Sequence, residues 1–280
     1  MGGFLITRQT LANFSSHGMR LLNILVGRYR MKYHNGCWLY KEGIAAFCPQ
    51  HVYEMRKDET SVTLCVPTTR IERKGDTLGG INLTLKISSP APEVLRVQVY
   101  HHKGVQKKEP EFELNLADAQ SLEVAEQGEI LTVRSGHVSL VINTERFEMR
   151  FERDGELLTK STARDLAYVK TDWKGLAYDK PGNAYMCQQL GLSVDELIYG
   201  LGERFTPFVK NGQSVSIWNE DGGTGTEQSY KNIPFYLSNR GYGVFVNHPE
   251  RVEFEIATEQ VSKTGFSVEG EILDYFLING

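Results

Sequence analysis

The chain has 280 residues, 31 Lys+Arg against 35 Asp+Glu, and a formal net charge of −4; apolar residues make up 40% and charged residues 24%. This balance excludes an electrostatic nucleic-acid binder, which is basic overall or carries a basic stripe. The 13 Phe, 13 Tyr and 3 Trp exclude a disordered chain, and no run of 18 apolar residues suggests a membrane-spanning helix.

Met1–Arg30 differs from the rest of the chain. It contains Arg8, Arg20, Arg28 and Arg30 and no acidic residue, and the first carboxylate of the chain is Glu42. Such a composition occurs in organellar transit peptides. The preferred reading is that translation begins at Met31, or that 1–30 is a loosely held extension. The expected organisation is an atypical extension over 1–30 and one β domain over 31–280, in the cytoplasm. Cys37, Cys48, Cys65 and Cys187 form no C-x-x-C pair, and the seven histidines form no H-x₃₋₅-H pair. Free thiols in a reducing compartment are expected, with no metal site.

Strict alternation then recurs along the chain. Ile81, Leu83, Leu85 and Ile87 share one face of a strand. Leu95, Val97 and Val99 follow, with Arg96 and Gln98 expected to face water. Phe147, Met149 and Phe151 alternate with Arg146, Glu148, Arg150 and Glu152, and Val252, Phe254 and Ile256 alternate with Glu253 and Glu255. Side chains alternate faces along a strand, so a period of two means one dry face and one wet face. Asp154-Gly155, Asn211-Gly212 and Asn239-Arg240-Gly241 supply turns, the last as a hairpin between Pro234–Ser238 and Tyr242–Asn247. Only Ser161–Lys174 and Leu116–Glu126 offer room for a short helix, and neither has an apolar stripe. The expected fold is all-β: one large antiparallel β-sandwich with few short helices.

Familiar motifs fail on inspection. Gly200-Leu201-Gly202 has Phe205 where a dinucleotide fingerprint needs its third glycine. Gly222-Gly223-Thr224-Gly225-Thr226 lacks the lysine of a phosphate loop. Gly265–Glu269 lacks the closing glycine of a nucleophile elbow. The residues Asn219, Asp221 and Gly223 do not match a calcium loop. The richest stretch is Ile217–Tyr236, a strand that becomes a long loop bearing Trp218, Asn219, Glu220, Asp221, Glu227, Gln228 and Tyr230. Aromatic faces stack on sugar C–H surfaces, and carboxylates and amides bridge vicinal hydroxyls. The same composition also suits a solvated loop. Glu220 and Asp221 are adjacent and point apart, so they are not a glycosidase carboxylate pair.

Tyr199-Gly200-Leu201-Gly202-Glu203-Arg204-Phe205, Trp218-Asn219-Glu220-Asp221-Gly222-Gly223-Thr224, Tyr230–Tyr236 and Gly241–Pro249 together resemble the N-terminal β-sandwich of glycoside hydrolase family thirty-one, especially its bacterial α-xylosidase branch. The likeness spans roughly 31–280 and is specific over Tyr199–Pro249. It implies a galactose-mutarotase-like supersandwich followed by a (β/α)₈ barrel that carries an aspartate nucleophile and an aspartate acid/base. No β/α alternation occurs here, so the resemblance implies no catalytic residue in this chain. The chain then reads as a truncated product, a cut piece or one part of a split enzyme.

The resemblance further implies an α-linked oligosaccharide as substrate and no metal or organic cofactor. Asp221 would meet the leaving-group sugar at the +1 subsite, with Gly222, Gly223 and Thr224 shaping the loop tip. Trp218 reads equally as core packing or as a stacking platform. Glu203 and Arg204 read as an ion pair or a loop brace. The absent barrel is the expected partner, and the apolar patch it would cover makes a homo-oligomer an expectation. Two alternatives stay open: a non-catalytic carbohydrate-binding or assembly module, and a mutarotase-type enzyme using one of His101, His102, His137 or His248 with a carboxylate.

Overall fold

A computed structural model describes residues 33–34, 39–102, 111–116, 120–172, 183–220 and 225–280. The extension at 1–30 and Cys37 lie outside the described residues. The strands, in chain order, begin with β1 (Ala45–Phe47), β2 (Glu54–Lys57), β3 (Ser61–Pro67), β4 (Asn82–Ala91), β5 (Val94–Tyr100), β6 (Glu123–Gln127) and β7 (Ile130–Ser135). Next come β8 (Val138–Asn143), β9 (Glu148–Arg153), β10 (Glu156–Ser161), β11 (Leu166–Lys170), β12 (Ala184–Gly191) and β13 (Ile198–Gly200). The series ends with β14 (Gln213–Ile217), β15 (Phe235–Ser238), β16 (Tyr242–Val246), β17 (Val252–Ile256), β18 (Lys263–Glu269) and β19 (Ile272–Asn279). Among the described residues the sole helical turn is a 3₁₀ turn at Lys74–Thr77.

These strands make three antiparallel sheets. The orders are β1-β11-β12-β18-β17-β14, β10-β9-β8-β7-β6 and β13-β15-β16-β19-β5-β4-β3-β2. The five-stranded sheet abuts the six-stranded one, where Thr159 on β10 donates its hydroxyl to Gly191 O at 2.8 Å. The eight-stranded sheet packs over both, β5 against β8 and β19 against β12. The core lies between these layers and draws on all three sheets.

The period-two pattern is realised in these strands. Leu83, Leu85 and Ile87 of β4 and Leu95, Val97 and Val99 of β5 have no solvent exposure. Full burial of such a side chain contributes about 1.5–3 kcal/mol. The two-residue loop Asp154-Gly155 joins β9 to β10 with φ of +50° and +86°, as a type I′ turn requires. The hairpin at Asn239-Arg240-Gly241 is present, with Ser238 opposite Tyr242 and Gly241 at φ +79°.

Three expectations are corrected. Ser161–Lys174 holds no helix in its described part: the chain turns at 162–165 and becomes β11. Leu116–Glu126 holds no helix in its described part either, and its end is β6. Tertiary pairing with β12 and β7 decides both cases. Third, Gln98, Glu253 and Glu255 do not face water but are buried. Glu253 accepts a hydrogen bond from Ser216 Oγ at 2.9 Å, and Glu255 accepts from Ser214 Oγ at 2.5 Å, both hydroxyls on the neighbouring β14. Alternation tells which face a side chain takes, not whether that face is covered.

The outer face of β19 shows the same point most sharply. Asp274 has no exposure. It accepts a bidentate pair from Arg96 on β5, Nε to Oδ1 at 2.9 Å and Nη2 to Oδ2 at 2.6 Å, and Asn247 Nδ2 donates to Oδ2 at 2.8 Å. A buried carboxylate is tolerated only when paired and hydrogen-bonded in this way. Asp274→Ala leaves the guanidinium without its counter-ion and is expected to destabilise the fold by about 3–5 kcal/mol in urea unfolding. The double change Arg96→Met with Asp274→Leu should cost less. An unfolding midpoint for Asp274→Ala equal to that of the parent would refute this assignment.

Candidate functional site

The site is assembled where the free edges of two sheets meet. β13 ends the eight-stranded sheet and β14 ends the six-stranded one. β13 runs into Gly200, Leu201 and Gly202, which take φ of +103°, +66° and +88°. A leucine in this left-handed region stores strain of order 1–3 kcal/mol, and Leu201 repays it by complete burial. Glycine is required at 202, because a Cβ there would lie 2.2 Å from Lys231 O. The backbone therefore turns sharply against the return limb of the Ile217–Tyr236 loop, and Leu201 N donates to Phe235 O at 2.8 Å and Glu203 N to Lys231 O at 3.0 Å.

Arg204 follows this turn. Its guanidinium donates to Leu201 O (2.9 Å), Ser216 O (2.9 Å), Glu227 O (3.2 Å) and the side-chain oxygen of Asn232. Asn232 in turn donates Nδ2 to Trp218 O (2.9 Å), Asn219 Oδ1 (3.0 Å) and Ser229 O (2.6 Å). One arginine and one asparagine thus cross-link the outgoing limb at 216–219 and the return limb at 227–232. Glu220 N completes the neck by donating to Ser229 O at 3.0 Å. The Glu203 carboxylate pairs not with Arg204 but with Lys231 at 2.6 Å, an exposed contact that raises the lysine's pKa.

The segment after Arg204 is held from beneath. Lys210 is buried and donates Nζ to Pro207 O at 2.7 Å and Thr206 Oγ1 at 3.1 Å. Burial lowers its pKa, with the positive Arg204 adding to the effect. The loop so fixed carries Phe205 and Phe208 outward, exposed at 63% and 77%. The Phe208 ring meets Tyr199 at 5.2 Å.

Trp218 sits on the outgoing limb, half exposed, with the Arg251 guanidinium 5.4 Å from its ring centroid. The ring also lines a cleft of about 250 Å³ shared with Asn219, Asn232, Pro234, His248 and Phe112. His248 is buried, and its Nε2 accepts from Asp274 N at 3.0 Å while Nδ1 lies 3.1 Å from Glu250 Oε2. A backbone N–H can only donate, so the ring proton sits on Nδ1. Asp221, Gly222, Gly223 and Thr224 lie outside the described residues.

The other candidate histidines are scattered. His101 stacks on Tyr168 at 4.0 Å with Glu271 nearby at 3.4 Å, and burial lowers its pKa. His137 is an exposed turn residue beside Asp154 at 2.9 Å, and the aspartate raises its pKa. Among the described residues no carboxylate lines the cleft that His248 borders. Among the described residues no cluster of His, Cys, Asp and Glu suits a metal ion, and Cys48, Cys65 and Cys187 are free thiols. Sequence reasoning missed Asn232 as part of the site and named His248 only as a candidate for mutarotase-type chemistry. Pro234 two residues after Asn232 and Pro249 next to His248 are visible in the sequence, but nothing local shows that these bends converge.

Three antiparallel sheets with a braced loop at their meeting edges make this chain an all-β sandwich. Residues 84–255 match the family described as the glycosyl hydrolase 31 N-terminal galactose mutarotase-like domain, and the chain belongs to that family. Alpha-xylosidase XylQ of Lactiplantibacillus pentosus is 43% identical over 253 residues, which cover 89% of this chain and 32% of the relative. An alpha-xylosidase of Emericella nidulans is 41% identical over 265 residues, 89% of this chain and 34% of the relative. The chain thus spans about a third of the length of the curated relatives it matches. Among solved structures, the cycloalternan-forming enzyme of Listeria monocytogenes in complex with a pentasaccharide substrate superposes with a TM-score of 0.68 at 23% identity, covering 85% of this chain and 21% of that one. A soil-metagenome GH31 alpha-xylosidase complexed with xylose gives 0.58 at 18%, covering 81% and 32%. At such identities the likeness is one of fold.

Arg204→Ala removes the cross-link from both limbs and leaves several acceptors without a donor. The expected cost is about 1.5–3 kcal/mol. Hydrogen exchange of the Glu203 and Glu220 amides should accelerate in the native state, while that of core strands β4 and β5 should not. Unchanged exchange at those two amides would show that the guanidinium braces nothing.

Proposed function

We propose that this chain is the substrate-shaping N-terminal domain of a retaining α-glycosidase of the α-xylosidase type, which hydrolyses O-glycosyl bonds in cytoplasmic carbohydrate metabolism. The observation that carries the reading is the neck of the Ile217–Tyr236 loop. Arg204 and Asn232 fix both limbs of a loop rich in carboxylates and amides, within a chain 43% identical to an alpha-xylosidase. In this reading Asp221 at the tip hydrogen-bonds the leaving-group sugar, and Gly222 and Thr224 give the tip its shape. The nucleophile and acid/base are aspartates of a (β/α)₈ barrel, set about 5–5.5 Å apart as retention requires. This chain contributes binding energy on the leaving-group side, and the barrel contributes bond cleavage.

The surface supports a large partner. Tyr199 and Leu237 face each other across β13 and β15 on the outer side of the eight-stranded sheet, with Phe208 against Tyr199. Leu237 is 49% exposed. Exposed contiguous apolar surface of this kind marks an interaction site. The barrel would cover it, and without the barrel two copies would do so, making a homo-oligomer. Light scattering of the isolated chain should therefore show association that rises with concentration, and a monodisperse monomer at all concentrations would argue against this use of the surface.

The functional reading is tested by a chimera in which this chain replaces the matched region of the Lactiplantibacillus pentosus relative. The chimera should hydrolyse an aryl α-xyloside, and the 280-residue chain alone should not. In the chimera Asp221→Ala should lower kcat/KM roughly 10- to 150-fold, the equivalent of one charged hydrogen bond. A folded chimera without turnover, or turnover by the purified chain alone, would overturn the proposal.

A further inference from the structure

The sequence sets two carboxylates side by side, Glu220 and Asp221, and adjacency alone does not divide the work between them. The partners of Glu220 do. Its N–H donates to Ser229 O at 3.0 Å. Its Oε2 accepts from Gln228 Nε2 at 2.9 Å. Its Oε1 lies 3.7 Å from Arg251 Nη2. Both carboxylate oxygens face protein groups, so the main chain and the side chain of residue 220 are fixed together. A carboxylate occupied in this way braces the chain and does not reach for a sugar hydroxyl.

Each partner is itself anchored. Gln228 N donates to Thr226 Oγ1 at 3.2 Å, a local turn that sets the return limb. Arg251 stands one residue before β17. Because Ile217 pairs with Val252, Arg251 falls next in register to Trp218, and its guanidinium lies 5.4 Å from the indole centroid. Its Nη1 is 4.0 Å from Glu253 Oε1, and Glu253 is buried and accepts from Ser216 Oγ. Glu253, Arg251, Glu220 and Gln228 thus run in series from the face of β17, past the outgoing limb, to the return limb. The Arg204–Asn232 cross-link holds the limbs at 216–219 and 227–232; this second one holds residue 220.

The place of that second cross-link matters. Consecutive Cα atoms are about 3.8 Å apart across a trans peptide, so residue 221 starts one peptide unit from a fixed point. Groups that meet a substrate must be held to within about 0.5 Å by neighbours that are themselves locked. Ordering them in advance removes an entropic cost from binding.

We propose that Glu220, held by Gln228 and Arg251, is a positioning residue for Asp221 and makes no sugar contact of its own. The inference rests on the reading of Asp221 as the residue that meets the leaving-group sugar.

The test uses the chimera with isoprimeverose, whose leaving group is itself a sugar. Glu220→Ala removes both side-chain contacts and should lower kcat/KM about tenfold, through KM more than through kcat. Glu220→Gln keeps an oxygen for Gln228 and loses only the ion pair, so it should stay within about fivefold of the parent. The deciding measurement is the double variant. In an Asp221→Ala background, Glu220→Ala should add less than about twofold, because residues that act as one unit are not additive. A residue with a merely structural role would cost the same in both backgrounds. Urea midpoints establish that each variant is folded. A full tenfold fall in the Asp221→Ala background overturns this inference alone. So does a Glu220→Ala chimera that matches the parent while Asp221→Ala is impaired. An active chimera in which Asp221→Ala matches the parent overturns the role of Asp221 and this inference with it.

Discussion

The last strand holds the largest sheet together. β19 is hydrogen-bonded on both edges, to β16 on one side and β5 on the other. The eight-stranded sheet is therefore two separate pieces until residues 272–279 arrive. The inner face of β19 delivers Leu273, Tyr275 and Leu277 to the core. Its outer face carries Asp274, which ties Arg96, Asn247 and His248 into one network. Pairing partners separated by so much sequence make closure entropically costly and slow, as in other β-rich topologies.

The same strand links the core to the site. Asp274 N holds His248, and His248 lines the cleft beside Trp218. From the other side, the left-handed turn at Gly200–Gly202 delivers Arg204 to the neck of the loop. The loop is thus positioned by two routes, one from β19 and one from β13, both strands of the eight-stranded sheet.

Much of the fold was legible because half-buried strands advertise themselves. β4, β5, β9 and β17 follow from strict alternation, and the turns at Asp154-Gly155 and Gly241 from their residues. What escaped was everything that depends on a second layer. Glu253 and Glu255 look solvent-facing by period alone, yet β14 supplies hydroxyls beside them. The segment Ser161–Lys174 looked open to helix because its strand partner, β12, starts at Ala184. At the site, the loop's composition was visible but its neck was not. Arg204 and Asn232 are 28 residues apart, and no local pattern announces a cross-link of that range.

The position of Arg204 has a consequence beyond the loop. Among the described residues β14 is the terminal strand of its sheet, paired with β17 alone, and a terminal strand offers unpaired backbone groups to any passing polypeptide. The guanidinium occupies the Ser216 carbonyl on that strand. A foreign strand that sought to extend the sheet there would have to displace a cation held by several other oxygens. The residue that steadies the loop thereby also guards the protein against runaway cross-chain pairing and the aggregation that follows from it.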